Sequence, residues 1–192
     1  MNWLAHIYLS EPDPAFRIGN LLPDILPHPQ FSKLLGNFQR GIRMHRRIDA
    51  FTDAHPVVKQ SIRRIGPPFH RYAGVLVDVF YDHILACEWP AYSSQPLSEY
   101  VVGVYHSFET LKHQLPPEVW QSLESMRHSD LLGSYRELSG IAAALNRLAS
   151  RLRRPLPLGD ATAILENHYD SFRTDFEAFF PALRAHVAGA DS

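Results

Sequence analysis

Apolar residues recur along this chain at intervals of three and four, which is the period of an α-helix. There is no Asn-Gly or Asp-Gly turn and no long alternating run, so hairpins are not indicated. The pattern predicts a brief apolar segment at residues 18–26 and helices at residues 2–10, 37–53, 56–65, 69–89, 98–114, 116–127, 131–153 and 160–187. We therefore expect an all-α fold, formed as a single helical domain over residues 1–192.

The predicted helix at residues 69–89 is the most apolar one, and we expect it to be central and buried. Charged residues interrupt it, which argues against a membrane span. Two of them, Asp78 and Asp82, are four residues apart, and His83 follows. Buried aspartates are costly unless they are paired, hydrogen-bonded or bound to a metal. The trio is a candidate for metal binding or catalysis; alternatively, the aspartates cap neighbouring helices or pair with arginines.

A second candidate set lies on the predicted helix at residues 37–53. His45, Asp49 and Asp53 recur at four-residue spacing, which places all three on one helix face. Their side chains are oxygen and nitrogen ligands of the kind that divalent metals bind. Because the outer two are about 12 Å apart along the helix axis, one metal cannot take all three. Two of them would suffice, with the third as a supporting group.

A third set is weaker on spacing alone. Asn2 and His6 share a helix face, and Asn20 and Asp24 belong to a turn among apolar residues that is bounded by Pro23. Asp24 could equally be a helix cap.

Composition narrows the class of protein. With 192 residues, 45% hydrophobic and 20% charged, the chain suits one globular domain. Cys87 is the only cysteine, so no internal disulfide can form, and the first residues have no basic signal region; we expect a cytoplasmic protein. The sequence lacks the Walker, dinucleotide-binding, nucleophile-elbow, His-Glu-x-x-His and Cys-x-x-Cys motifs. It also lacks the Glu-x-x-His pair of ferritin-like di-iron proteins.

The formal net charge is −1, but positive charge is concentrated in one region. Between residues 33 and 71 only Asp49 and Asp53 oppose the basic residues Lys33, Arg40, Arg43, Arg46, Arg47, Lys59, Arg63, Arg64 and Arg71. Such a region suggests an anionic substrate or an acidic partner. For a single arginine such as Arg40, a solvated helix face is the simpler interpretation.

Four motifs together resemble the acyl carrier protein phosphodiesterases, also called acyl carrier protein hydrolases. They are MNWLAH at residues 1–6, GNLL-x-D at 19–24, GI-x-x-HR-x-ID-x-FTD-x-HP at 41–56 and D-x-F-x-DH at 78–83. The match covers the first half of the chain as motifs and the second half in length and helical character. Pro23 departs from the pattern, in which a glycine is expected at this position.

The resemblance implies an all-α bundle distantly related to the HD phosphohydrolases and a divalent metal, commonly manganese, although magnesium would also serve. The implied reaction removes 4′-phosphopantetheine from the serine of holo acyl carrier protein, an acidic protein substrate. We expect Asp24, His45 and Asp78 as the main metal ligands, with His6 and Asp53 as further ligands. The other expected site residues are Asp49, Asp82 and His83 as water-activating or orienting groups and Arg46 as a phosphoryl clamp.

We expect the arginines Arg43, Arg47, Arg63 and Arg64 to dock the acidic carrier protein. Three alternatives stay open at this point: a metal-dependent phosphohydrolase for another phosphoester such as a nucleotide, a non-catalytic helical module that binds an acidic protein, and a helical domain whose polar residues are satisfied internally. No motif that reads nucleic acid bases is present, so we do not expect a nucleic acid partner.

Overall fold

The structure is a computed structural model that describes residues 1–26, 34–150, 152 and 156–189. This part of the chain contains eleven α-helices and no strand. The helices are α1 (Trp3–Tyr8), α2 (Pro14–Ile25), α3 (Asn37–Ala54), α4 (Pro56–Arg63), α5 (Ala73–Cys87), α6 (Leu97–Glu109), α7 (Pro117–His128), α8 (Leu131–Ser134), α9 (Leu138–Ala149), α10 (Thr162–Asn167) and α11 (Tyr169–Ala188). The all-α prediction is confirmed.

Most predicted helices are present with shifted ends. The segment predicted at residues 18–26 belongs to a longer helix, α2, which begins four residues earlier because Asp13 caps it: its side chain accepts a hydrogen bond from the Phe16 amide at 2.8 Å. Pro14 occupies the first helical position, where a missing amide hydrogen costs nothing. The chain then continues helically through Pro23 to Ile25.

Two long predicted helices are each divided in the structure. The stretch predicted at residues 131–153 forms α8 and α9, separated at residues 135–137. Gly140 allows this turn, since a side chain there would collide with the Ser134 carbonyl. The stretch predicted at residues 160–187 forms a 3₁₀ turn, Leu158–Ala161, then α10 and α11, which are separated at His168. The predicted helix end at residue 153 and the basic residue Lys33 lie outside the described residues.

Helix α5 is central, as the sequence predicts. From residue 76 to residue 86, every side chain except the half-buried Asp78 is buried. Helix α1 packs against α2 and α5, and α11 packs against α3, α4 and α5. The apolar side chains of these helices join in one buried cluster. Within the described residues, no helix combines the length and the hydropathy that a membrane crossing would need.

Helices α2 and α3 approach each other especially closely, and two glycines make this possible. A Cβ on Gly41 would collide with the Phe16 carbonyl and the Asn20 amide, and one on Gly19 would collide with the Phe38 backbone. Backbone therefore packs directly on backbone at this crossing. The contact sets the position of Asn20 relative to His45, one turn along α3 from Gly41.

Candidate metal centre

Two buried histidines from separate helices meet beside a carboxylate of α3. His6 comes from α1, and His45 and Asp49 come from α3. The two imidazole rings stack with their centroids 4.3 Å apart and their planes 14° apart. The two imidazole Nε2 atoms lie 3.2 Å (His6) and 3.0 Å (His45) from the carboxylate oxygens of Asp49. One ligand atom from each residue lies within 4.8 Å of the other two, which is compact enough to hold a metal ion.

Asn20 fixes the orientation of both rings. Its side-chain amide donates to the His6 carbonyl at 2.8 Å and to the Ser10 hydroxyl at 2.9 Å, so its oxygen faces His6 Nδ1 at 3.0 Å. Its backbone carbonyl accepts from His45 Nδ1 at 2.7 Å. Because both Nδ1 atoms face oxygen acceptors, both carry hydrogen, and the neutral rings present lone pairs on Nε2.

Those lone pairs point at other acceptors. His6 Nε2 faces the Met1 carbonyl and an Asp49 oxygen, each at 3.2 Å, and His45 Nε2 faces the other Asp49 oxygen. Acceptors that converge in this way need a proton or a metal ion between them. The donor set and the fixed tautomers therefore fit a divalent metal.

The protonation states of His6, His45 and Asp49 depend on one another. Burial opposes charge on both histidines, and it lowers the pKa of His6. The pKa of His45 is nevertheless raised, because the hydrogen bond and charge of Asp49 outweigh its burial. Burial also opposes charge on Asp49, but the two histidines hold its pKa well below the usual value. Without a metal, the cluster thus carries an ionised Asp49 that shares a proton with His45.

Asp78 reaches the same region from α5. Its carboxylate pairs with the amino group of Met1 at 3.0 Å, and that amino group also lies 3.5 Å from Asp49. Burial lowers the pKa of the amino group, but the two aspartates outweigh it and raise the pKa to about 10. A positive charge is therefore stable between these carboxylates. Burial raises the pKa of Asp78 itself.

Asp24 lies at the rim. It is exposed, one of its oxygens is 3.8 Å from His45 Nε2, and the other accepts a hydrogen bond from Trp3 Nε1 at 2.9 Å. The sequence indicated Asp24, but it carried no signal that Trp3 would orient its carboxylate.

Asp82 and His83 are separate from the cluster in their contacts. Both oxygens of Asp82 accept backbone hydrogen bonds, from Leu4 at 2.7 Å and Ala5 at 3.1 Å, so this aspartate caps α1 from outside. Burial raises its pKa to about 7. His83 Nδ1 donates to the Tyr135 carbonyl at 2.7 Å. Asp82 therefore caps a neighbouring helix, which is the alternative that the sequence left open for the aspartates of α5.

The remaining predicted residues are exposed or bonded elsewhere. Asp53 and Arg46 are exposed on α3, and no side-chain hydrogen bond or ion pair joins them to another described residue. Among the expected docking arginines, Arg43 and Arg63 are exposed. Arg47 and Arg64 are not free: they bind the His186 carbonyl at 2.6 Å and the Asp175 carboxylate, respectively.

A cavity of about 390 Å³ opens beside the cluster. Asp24, Asp78 and Met1 line it, and α8 and α9 contribute Leu131, Ala144, Arg147 and Leu148 to its wall. The sequence did not single out these four residues, because they carry no metal-ligand or catalytic pattern. The arrangement can hold a metal ion at the end of a pocket wide enough for a small ligand or an extended arm.

Comparison with known proteins decides the family. A family model described as "Acyl carrier protein phosphodiesterase" matches residues 1–183. The chain belongs to this family. Relatives named acyl carrier protein phosphodiesterase include one from Enterobacter sp. (strain 638), 33% identical over 184 residues and 95% of each chain, and one from Escherichia coli, 32% identical over 189 residues and 98% of each chain.

No solved structure matches the chain. The resemblance to this family is confirmed, whereas the distant relation to HD phosphohydrolases stays a prediction. The match reaches through α8 and α9 into α11, so the family pattern also covers the half of the chain in which the sequence motifs were sparse.

Proposed function

We propose that this protein is a metal-dependent phosphodiesterase that removes 4′-phosphopantetheine from holo acyl carrier protein. Water attacks the phosphorus atom, the bond between phosphorus and the serine oxygen breaks, and the serine oxygen leaves with a proton. The products are apo carrier protein and free 4′-phosphopantetheine. Family membership and the names of the relatives support the substrate.

One observation carries the metal dependence. Asn20 directs both Nδ1 hydrogens away from the cluster, so the Nε2 atoms of His6 and His45 converge on Asp49 as acceptors. When His45 carries the proton that it shares with Asp49, His6 Nε2 still faces two oxygen acceptors, and a cluster that only stabilised the fold would be expected to pair these acceptors with donors. The mixed nitrogen and oxygen donor set fits Mn²⁺ better than Mg²⁺, which prefers oxygen ligands.

A bound divalent metal would supply a Lewis acid for the phosphoryl oxygens and would lower the pKa of a water molecule. The residues of the chain divide the other work. His6, His45 and Asp49 hold the metal, and Asn20 holds the rings. Asp78 lines the cavity beside them, and its raised pKa suits a group that accepts a proton from the attacking water.

Asp24 is the second acidic group at the cavity. Its carboxylate is oriented by Trp3, and it is proposed as a further metal ligand or as the group that positions the water. Asp82 and His83 are proposed to support the site by anchoring α1 and the Tyr135 backbone, rather than to touch the substrate. Asp53 is proposed to lie outside the metal site, because it is exposed on α3 and does not belong to the His6–His45–Asp49 cluster.

The acidic carrier is proposed to dock on the exposed arginines of α3 and α4. Arg43 and Arg46 lie on α3 within one turn of His45, and Arg63 ends α4. Exposed guanidinium groups attract an acidic surface and increase the rate of encounter. A cytoplasmic location completes the proposal, supported by a single cysteine and no possible internal disulfide.

The direct test is a mass measurement on the carrier. Metal-free protein is incubated with holo acyl carrier protein, with and without Mn²⁺, and the carrier is weighed by mass spectrometry. We expect a metal-dependent loss of one phosphopantetheine group, and a large drop in rate for His45→Ala with Asp53→Ala as the matched control on the same helix. An unchanged carrier mass with a fully metal-loaded protein would refute the proposed reaction.

A further inference from the structure

The cavity is a candidate for substrate selection, because residues that contact the His6–His45–Asp49 cluster also line it. Asp78 and Met1 line the cavity, and the same two residues form the ion pairs that join α5 to Asp49. Asp24, 3.8 Å from His45, lines it as well. A phosphodiester held at the cluster would therefore place one of its two substituents in this space.

Most of the other residues that line the cavity are apolar. They include Val75 and Val79 of α5 and Leu131, Ala144 and Leu148 of α8 and α9. Val75 is 43% exposed, although α5 is otherwise the most buried helix of the fold. Its exposed side chain joins the other apolar lining residues in one concave surface, which is the composition typical of ligand pockets.

Arg147 adds a polar group to this wall. It is exposed on α9, lines the cavity, and has no ion pair with another described residue. Its guanidinium can donate several hydrogen bonds to amide or hydroxyl oxygens of a ligand.

From these contacts we infer that the cavity binds the pantetheine arm of the substrate, with the phosphate next to Asp24 and Asp78. This inference rests on the proposed function. The arm has two methyl groups and short methylene segments for the valine wall, and a hydroxyl and two amides for Arg147 and the polar rim. A volume of about 390 Å³ suits one extended arm and excludes the folded carrier protein.

The geometry also assigns a role to the second half of the chain. Helices α8 and α9 supply part of the cavity wall, so they help to determine which diesters fit beside the metal. A phosphodiester without an apolar arm gains no contact with Val75, Val79 or Ala144. The pocket therefore selects the phosphopantetheine diester over other phosphodiesters at the same metal.

The test fills the pocket without touching the cluster. Ala144→Phe introduces a ring into the cavity wall, and Val102→Phe, on the exposed face of α6 and outside the cavity, is the matched control. Pantetheine without phosphate serves as a probe, and its binding to metal-free protein is followed by ligand-observed NMR. We expect wild type and Val102→Phe to bind pantetheine, and Ala144→Phe to lose about tenfold or more in affinity.

Kinetics supply the second measurement. Ala144→Phe should lower kcat/KM for holo carrier protein by a similar factor while its Mn²⁺ affinity, measured by calorimetry, stays at the wild-type value. Val75→Asp, at a partly exposed position that tolerates charge, should have the same effect if Ala144→Phe fails to fold.

The outcomes separate this inference from the proposed function. If wild-type protein fails to bind pantetheine, or if a folded filled-pocket variant binds it and cleaves holo carrier protein as wild type does, the pocket assignment is wrong. If pantetheine binds but metal-loaded wild type releases nothing from the carrier, the pocket stands as a pantetheine site and the proposed reaction fails.

Discussion

The imidazole rings of His6 and His45 stack with their centroids 4.3 Å apart, although 38 residues lie between the two histidines in the sequence. Both rings turn their Nδ1 atoms toward Asn20 and their Nε2 atoms toward Asp49. The pair therefore presents two nitrogen lone pairs to the Asp49 carboxylate, and Asn20 fixes the orientation of both rings.

Replacing Asn20 by Ala should weaken metal binding without removing a ligand. The variant loses the acceptor that holds His6 Nδ1, so the ring can rotate or change tautomer. Loss of such a supporting partner typically costs 10–100-fold in metal affinity, and we expect about this factor for Mn²⁺ by calorimetry. Ser10→Ala is the control: it removes the bond that the Ser10 hydroxyl accepts from Asn20 and the one that it donates to the His6 carbonyl, but it leaves the acceptor of His6 Nδ1 in place. Equal metal affinity in the Asn20 variant and wild type would show that the rings are held by other contacts.

Metal binding should release a proton and strengthen as pH rises. The pKa of His45 is raised in the metal-free protein, because Asp49 stabilises the imidazolium more than burial opposes it. A metal needs the neutral ring, so the proton on Nε2 must leave. Apparent affinity should therefore rise with pH until His45 is neutral and then level off. Calorimetry in two buffers of different ionisation enthalpy measures about one proton released; heats that do not depend on the buffer would contradict this.

Gly41→Ala should destabilise the fold, whereas Gly103→Ala should not. A Cβ at residue 41 would collide with the Phe16 carbonyl, so α2 and α3 must move apart, at a cost of about 1–3 kcal/mol. A Cβ at residue 103, on the exposed face of α6, meets open space and should stabilise the helix by ~0.5–1 kcal/mol. Denaturant unfolding measures both. The Gly41 variant should also bind Mn²⁺ less tightly, since α2 carries Asn20. A variant of wild-type stability would show that the crossing accommodates a Cβ.

Asp82→Ala should release the start of α1. The carboxylate accepts the amide hydrogens of Leu4 and Ala5, which lie at the positions that an N-cap side chain normally serves. The Asn2 side chain makes no cap bond there. Leaving the two buried amides without an acceptor should cost on the order of 1–3 kcal/mol in the free energy of unfolding. If stability fell while Mn²⁺ binding per folded molecule stayed normal, the role of Asp82 would be structural; a specific loss of turnover in a stable variant would instead restore a catalytic one.

Charge reversal on α3 should weaken carrier docking. The double variant Arg43→Glu, Arg46→Glu should raise KM for holo carrier protein several-fold at low salt, with kcat little changed, and the effect should shrink as salt is added. Arg127→Glu, exposed on α7 outside the basic region, is the matched control. An unchanged KM at low salt would place the carrier on another surface.

Arg64 belongs to a different class from these exposed arginines. It pairs with the buried Asp175, and Asp175 also accepts a hydrogen bond from Ser61 at 2.6 Å. Reversal of Arg64 should therefore lower stability before it affects docking. The sequence groups Arg64 with Arg63, but only the packing of α4 against α11 distinguishes their roles.

The sequence by itself determined the helices and the chemistry available to them. Helical period, prolines and glycines placed α3, α4 and α5, and the four-residue spacing put His45 and Asp49 on one face, because neighbours within a helix are set by local geometry. The motifs around His6, Asp24, His45 and Asp78 identified the family, which the comparison confirmed.

The tertiary structure decided which of these residues meet. Spacing within one helix says nothing about the distance between helices, which depends on how their faces pack. The glycine contact between α2 and α3 and the cap that Asp82 provides to α1 bring His6 to His45 and Asp49. The same packing leaves Asp53 in solvent and brings α9 residues into the wall of the cavity that Asp24 and Asp78 also line. These relations span long stretches of chain, so they follow from the assembled core and not from any local pattern.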